Sequence, residues 1–360
     1  MAASGLDPST IFPFPLDDFQ LEAIDALNQG HSVVVSAPTG SGKTLVGEYA
    51  IHRALAHGQK VFYTTPLKAL SNQKLRDFRE AYGDDNVGLM TGDLSVNREA
   101  SIVVMTTEIF RNMLYAEASE QDDPLADVEA VVLDECHYMN DSQRGTVWEE
   151  SIIHCPPSVQ LVALSATVAN AGQLTDWIEK VHGPTTLVLS DYRPVPLQFS
   201  FCSAKGLHPL LNDAGTGLHP NCKVWRAPKG HKRKGRSAKP PQPEPPPISF
   251  VVAQMAERDM LPAIYFIFSR RGCDKAVRDL GIQCLVNKEE QARIRARLKA
   301  YSSENPEAVR DGIHADALLR GIAAHHAGVL PAWKELIEEL FQQGLVKVVF
   351  ATETLAAGIN

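Results

Sequence analysis

Across residues 19–200, short apolar runs rich in Val, Ile and Leu are separated by longer stretches of helical periodicity. The runs are SVVVSA from Ser32, KVFYTT from Lys60, VGLMT from Val87, IVVMTT from Ile102, AVVLDE from Ala130, QLVALSA from Gln160 and TTLVLS from Thr185. Each is apolar nearly throughout instead of alternating, which is the pattern of a strand covered on both faces. Strands of that kind joined by helical stretches predict a parallel sheet with crossover helices, an α/β fold.

From Asp191 the pattern loosens, and APKGHKRKGRSAKPPQPEPPP (227–247) is basic and then proline-rich, as expected of a linker or surface insertion. Periodicity resumes with ISFVVAQMAERDMLPAIYFIFS from Ile248. The pattern therefore divides the chain into a tail (1–11), a first domain (12–200), a linker (201–247) and a second domain (248–360). Within the second, NKEEQARIRARLKA (287–300) is expected as an exposed helix whose charges face solvent.

Composition narrows the class. Hydrophobic residues make up 44% and charged residues 22% of 360, ordinary for a globular protein of two domains. No apolar run approaches the ~20 residues of a spanning helix, so no membrane partner is expected. The first basic side chain is Lys43, so no early positive charge marks a secretory or transit peptide. Six cysteines lie scattered with no C-x-x-C pair, which predicts a reducing, cytoplasmic compartment. Cys202, His208, His219, Cys222 and His231 could be assembled into a zinc site only with irregular, loop-bound spacing, which argues against one. The formal charge of −8 alone speaks against a nucleic-acid binder, but eight basic and no acidic residues fall between Lys223 and Lys239. That tract is expected to be solvated, with weak phosphate contact open to it.

The chemistry starts after SVVVS. Ala37, Pro38, Thr39, Gly40, Ser41, Gly42, Lys43 and Thr44 form a glycine-rich turn between a strand and a helix, the layout of a phosphate-binding loop. Backbone N–H groups would converge on phosphate oxygens, Lys43 would reach the terminal phosphates and the Thr44 hydroxyl would hold Mg²⁺. Position 37 carries Ala where the strict pattern has Gly. A metal-side carboxylate is then required at a neighbouring strand end, and AVVLDECH supplies Asp134 for Mg²⁺ and Glu135 to polarise the attacking water. His137 alone is ambiguous between a structural and a catalytic histidine, and Cys136 is read as a small buried residue.

PLKALSNQK (66–74), TGD (91–93), TTEIFRNML (106–114), DECH (134–137) and LSAT (164–167) follow one another in the order found in superfamily-two helicases, and together they resemble the DExH-box branch. The run DECHYMNDSQRGTVWEESIIHCPPSVQLVALSATVANAGQLTDWI is similar to the superkiller-type, exosome-associated RNA helicases, as are IYFIFSRRGCD, AAHHAGVLPAWKELIEELF and FATETLAAGIN. The resemblance implies two RecA-like parallel-sheet domains of the P-loop NTPase kind, with ATP and Mg²⁺ as cofactors and a single-stranded or partly duplex RNA as partner. It assigns Phe19 and Gln20 to the adenine side, His137 to the catalytic group, and Ser165, Ala166 and Thr167 to coupling. Nucleic-acid contacts fall to Pro66, Leu67, Lys68, Thr91, Gly92, Thr106, Thr107, Arg111, Ser269, Arg270, Thr352, Glu353 and Thr354.

In this group a QxxGRxGR motif beyond the ATETLAAGIN loop supplies the arginines that stabilise the γ-phosphate, and no match to it lies in these 360 residues. The expectation is a chain cut within its second, incomplete domain, monomeric, binding nucleotide but unwinding poorly, its whole form working beside a ribonuclease or other RNA-processing partner. A related DNA helicase and a nucleotide-gated clamp without turnover are the alternatives.

Overall fold

The computed structural model describes residues 5–115, 124–141, 144–222, 245–304, 312–352 and 355. The basic tract 223–239 and the site candidates Glu353 and Thr354 lie outside the described residues. The chain divides into two compact units between Pro196 and Leu197.

In the first unit the strands are β1 (Ser32–Ser36), β2 (Lys60–Thr65), β3 (Val87–Met90), β4 (Ser95–Val96), β5 (Ile102–Thr106), β6 (Val128–Leu133), β7 (Gln160–Ser165) and β8 (Thr185–Leu189). The helices are α1 (Pro8–Ile11), α2 (Asp18–Asn28), α3 (Thr44–His57), α4 (Lys68–Tyr82), α5 (Thr107–Tyr115), α6 (Gly145–His154) and α7 (Ala171–Val181). One sheet holds all eight strands in the order β4-β3-β5-β2-β6-β7-β1-β8, parallel except at the β3/β4 pair. Every residue of β1 and β5 is buried, as the continuous apolar runs require of strands with helices on both faces. Two apolar clusters flank the sheet, one containing Val33, Tyr49, Val104 and Val132, the other Val34, Phe110, Trp148 and Val131. Alternate residues of one strand thus feed opposite layers.

Helix α3 follows the glycine-rich turn and stops at Gly58, whose left-handed φ of 70° lets its N–H reach the carbonyl of Ala54. A buried polar network fixes the base of this helix. Arg53, 1% exposed, donates through its guanidinium to Leu27 O at 2.6 Å, to Gln160 Oε1 and to Glu129 Oε1, while His57 Nδ1 lies 2.8 Å from Glu129 Oε2. Such complete pairing offsets the desolvation cost of a buried charge, whereas removing one partner leaves the other stranded.

The second unit opens with the antiparallel pair β9 (Ser200–Ser203) and β10 (Gly206–Pro209), so a hairpin stands at the start of the segment expected as linker. Then come α8 (Ile248–Ala256), β11 (Ala263–Phe266), α9 (Arg270–Asp279), α10 (Lys288–Glu304), α11 (Gly312–Leu318), β12 (Ile322–His325), α12 (Pro331–Gln342) and β13 (Val348–Ala351). Three strands form a parallel sheet, β11-β13-β12. Helix α10 departs from its expected solvated character. Ile294 and Tyr301 are buried, and the Tyr301 ring meets Trp333 edge-on at 5.6 Å. Its charges hid a sparse apolar stripe at Ile294, Leu298 and Tyr301, which packs into the core of this unit.

Candidate nucleotide site and nucleic-acid face

Four central parallel strands end side by side in the order β2-β6-β7-β1, so the segments after them converge on one edge of the sheet. These are Pro66 to Lys68, Asp134 to His137, Ser165 to Thr167 and Ala37 to Thr44. Separated by up to 130 residues in sequence, they are neighbours because strand order makes them so.

The turn after β1 is held from three sides. Ala37 N–H donates to Ser165 O at 3.1 Å, Ser41 N–H to Pro38 O at 3.2 Å, and Gln20 Nε2 to Gly42 O at 3.0 Å. Gly40 and Gly42 both take φ of 82°, a left-handed conformation that favours glycine. Gln20 also accepts from Asp17 N–H at the start of α2, so α2 and the turn are tied by one side chain. Phe19 is 7% exposed and packs in the core cluster of this face. Thr39 and Gly40 are exposed, Pro38 is buried and Thr44 half-buried at the start of α3. Lys43 is 6% exposed, and its ammonium makes no hydrogen bond or ion pair among the described residues. The Ser41 hydroxyl oxygen is likewise buried without a partner.

Asp134 sits at the end of β6, 7% exposed, with both carboxylate oxygens engaged. Tyr63 Oη donates to Oδ2 at 2.8 Å and Glu135 N–H to Oδ1 at 2.9 Å. Sequence reading missed Tyr63, a lone tyrosine in an apolar strand, because nothing local links it to a residue far along the chain. Glu135 adopts φ of 51°, a strained conformation for a non-glycine residue that turns its side chain out of the strand line. Burial and then the Asp134 charge push its carboxyl above the ordinary carboxylate range, with Lys43 and Lys74 pulling the other way. For His137, burial first and Lys43 second lower the pKa below the usual imidazole value. Ala166 N–H donates to His137 Nδ1 at 3.4 Å, which puts the proton of the neutral ring on Nε2. Glu135 Oε2, 3.3 Å from the same nitrogen, therefore receives no hydrogen bond from it. His137 thus touches Glu135 and the Ser165 to Thr167 segment together. Ser165 Oγ donates to Ala166 O at 2.8 Å, and Ser36 Oγ to the same carbonyl at 3.4 Å, while Thr167 is exposed.

A family model described as DEAD/DEAH box helicase matches residues 17–174, the stretch that carries all of these segments. Residues 17–174 form a DEAD/DEAH box helicase domain. The chain is 48% identical, over 98% of its length, to a chloroplastic DExH-box ATP-dependent RNA helicase of Arabidopsis thaliana, covering 33% of that protein. It is 41% identical to a second DExH-box ATP-dependent RNA helicase of the same plant, over 98% of the chain and 37% of that protein. Against the exosome RNA helicase of Mus musculus it is 41% identical, over 97% of the chain and 34% of that protein. The chain spans between about a third and two fifths of the length of these curated relatives.

In this helicase domain several residues expected to hold nucleic acid are already engaged with neighbouring protein groups. Lys68 Nζ lies 2.9 Å from Asp93 Oδ1, which also accepts from Thr91 Oγ1 at 2.9 Å, and Gly92 lies beside that ammonium. Thr107 Oγ1 donates to Thr65 O at 3.2 Å, binding α5 to β2, and Thr106 is buried beside it. Arg111 donates to Asn112 Oδ1 at 2.8 Å and lies 3.6 Å from Glu150. Pro66 and Leu67 form the entry to α4, and Leu67 O accepts from Thr65 Oγ1 at 3.1 Å.

Within the second unit, Ser269 caps α9 by accepting from Gly272 N–H at 3.1 Å, Arg270 follows it, and Thr352 N–H donates to His325 O at 3.2 Å. His325 and His326 point apart, as neighbours on a strand end do. His325 Nε2 lies 2.8 Å from Glu338 of α12, and His326 Nε2 lies 2.9 Å from Asp274 of α9.

Proposed function

We propose that this chain carries the ATP-driven part of an RNA helicase, binding ATP with Mg²⁺ through the turn at Gly40 to Thr44 and the acid pair. Lys43 carries the reading. Lys43 is a buried residue whose ammonium makes no hydrogen bond or ion pair among the described residues, and the glycine turn presents it where a phosphate chain would lie. The hard oxygen donors of Thr44 and Asp134 suit Mg²⁺, and the orphaned Ser41 hydroxyl offers a further polar contact. Bound there, Mg²⁺ would supply charge neutralisation at the phosphates.

The protein groups divide the remaining work. Asp134, fixed by Tyr63, keeps its carboxylate in place. Glu135 accepts the proton of the attacking water, and its raised proton affinity brings it closer to a base matched to neutral pH. Neutral His137 relays the position of Glu135 to the Ala166 backbone. Pro66 to Lys68, Thr91 to Gly92 and Thr106 to Arg111 would grip successive phosphates without reading bases, as a motor acting on any sequence requires. The track is single-stranded or partly duplex RNA, beside a ribonuclease or other processing enzyme; in support, the relatives are named as ATP-dependent RNA helicases and an exosome RNA helicase. All six cysteines are free, which supports a reducing, cytoplasmic compartment.

The test is steady-state ATP hydrolysis by the chain with and without single-stranded RNA, with matched DNA alongside and Glu135→Gln as control. RNA-stimulated turnover lost in the variant is expected. ATP affinity unchanged by Lys43→Ala would overturn the reading, and equal stimulation by DNA would redirect it to a DNA motor.

A further inference from the structure

Arg144 lies in DSQRGTVWEE, a stretch to which the nucleotide chemistry gives no task. Its side chain nevertheless joins two of the functional segments and packs against α6. Nη2 donates to Pro66 O at 2.6 Å, at the start of the loop after β2. Nε donates to Glu108 Oε1 at 3.0 Å, in the first turn of α5 directly after Thr106 and Thr107, and Nη2 reaches the same oxygen. The guanidinium carbon stands 5.8 Å from the centroid of the buried Trp148 ring, on α6. Arg144 itself is carried by the chain that continues from the acid pair through a short 3₁₀ turn, Cys136–Asn140, and its N–H donates to Asp141 Oδ1 at 2.9 Å.

The residue after it explains how the side chain gets there. A Cβ on Gly145 would fall 2.2 Å from Met139 O, so only glycine lets α6 begin this close to the turn that follows the acid pair. Gly145 N–H then donates to Asp141 O at 2.9 Å. The consequence is a run of close contacts from the turn after Asp134 and Glu135, through Met139, Asp141 and Gly145, to Arg144, and from Arg144 to Pro66 and Glu108.

We propose that Arg144 is a positioning residue for the nucleic-acid face, holding the Pro66 to Lys68 loop and the start of α5 in register with each other and with the acid-bearing segment. The proposal rests on the functional reading above. Arginine suits the task because its planar fork serves a carbonyl and a carboxylate at once while its face covers an indole; a lysine ammonium supplies a point charge without that geometry. Arg144 reaches no phosphate in this role. It sets where Lys68 and Thr107 stand when a phosphate arrives.

The test compares the wild-type chain with Arg144→Lys, Arg144→Gln, Glu108→Gln and the Glu108→Gln/Arg144→Gln double variant. Four quantities are read: thermal midpoint, affinity for a fluorescent ATP analogue, affinity for single-stranded RNA at fixed salt, and the ratio of RNA-stimulated to basal turnover. Both Arg144 variants are expected to lose about tenfold or more in RNA affinity and most of the stimulation, with ATP affinity and melting close to wild type. Because the two side chains act as a unit, the double variant should be little worse than Arg144→Gln alone. Wild-type RNA affinity and stimulation in Arg144→Lys would overturn the proposal, as would a parallel fall of melting and ATP affinity, which marks a merely structural staple. If the wild-type chain itself fails to bind RNA, the functional reading falls and this inference falls with it. If wild type binds and the variants bind equally well, only this inference fails.

Discussion

Removal of a single oxygen atom, in Tyr63→Phe, isolates the bond on which the orientation of Asp134 depends. The ring is fully buried, meets Phe78 edge-on at 5.0 Å and lies 5.5 Å from the Lys74 ammonium. Phenylalanine keeps those contacts, so the change deletes only the 2.8 Å hydrogen bond to Asp134 Oδ2. Burial and then the Asp134 charge hold the Tyr63 hydroxyl well above the ordinary phenol pKa, so the native bond is a neutral donor to a carboxylate. Hydrogen bonds to charged groups are worth ~1.5–3 kcal/mol, and at 7% exposure Asp134 has little access to replacement water. Tyr63→Phe should therefore destabilise the first unit by about that amount. For a unit of this size the melting temperature should fall by about 2–4 °C per kcal/mol. Urea titration followed by circular dichroism gives the free energy, and Mg²⁺ titration of fluorescent-nucleotide binding reads the site, where a weaker Mg²⁺ dependence is expected. A loss under about 0.5 kcal/mol with unchanged Mg²⁺ dependence would refute the argument that this hydroxyl holds the carboxylate.

Two further outcomes follow from buried groups. Burial raises the Glu48 carboxyl above the ordinary value, opposed by Lys74 and reinforced by Asp77. A raised folded-state pKa contributes stability below the unfolded value that is lost as pH rises through the folded one. Glu48→Gln should thus be more stable than wild type at about pH 7–8, the gap closing towards about pH 4 in urea midpoints; a gap independent of pH would contradict this. Gly145→Ala would force a methyl to 2.2 Å from Met139 O and should cost ~1–3 kcal/mol or more by thermal melting, whereas a wild-type midpoint would mean that the turn yields freely.

Much of the first unit was legible in sequence because its signals are local. A strand buried on both faces must be apolar throughout, so each of the seven runs carried its own evidence and became a strand of one sheet, although the edge strand β8 is mostly half-buried and exposes Leu189. The glycine turn with Lys43 and the adjacent acids Asp134 and Glu135 are short motifs whose chemistry needs those residues at that spacing. The two-residue β4 carried no such signal and was found only as the antiparallel partner of β3. Helix α10 was misjudged because three apolar positions among many charges do not disclose whether a core lies beneath them.

What the sequence by itself determined, then, is the set of elements and the reactive residue types, since hydrophobic period and motif spacing act over a few residues. Tertiary structure alone decided the partners: Tyr63 with Asp134 across 71 residues, Arg144 with Pro66 across 78, and Lys68 with Asp93 across 25. Strand order determines which loops meet at one edge of the sheet, and a hydrogen bond acts over about 3 Å of space whatever the distance along the chain. No local pattern encodes such a pair, so only the folded molecule could reveal which side chain aims the acid and which one spans the loops.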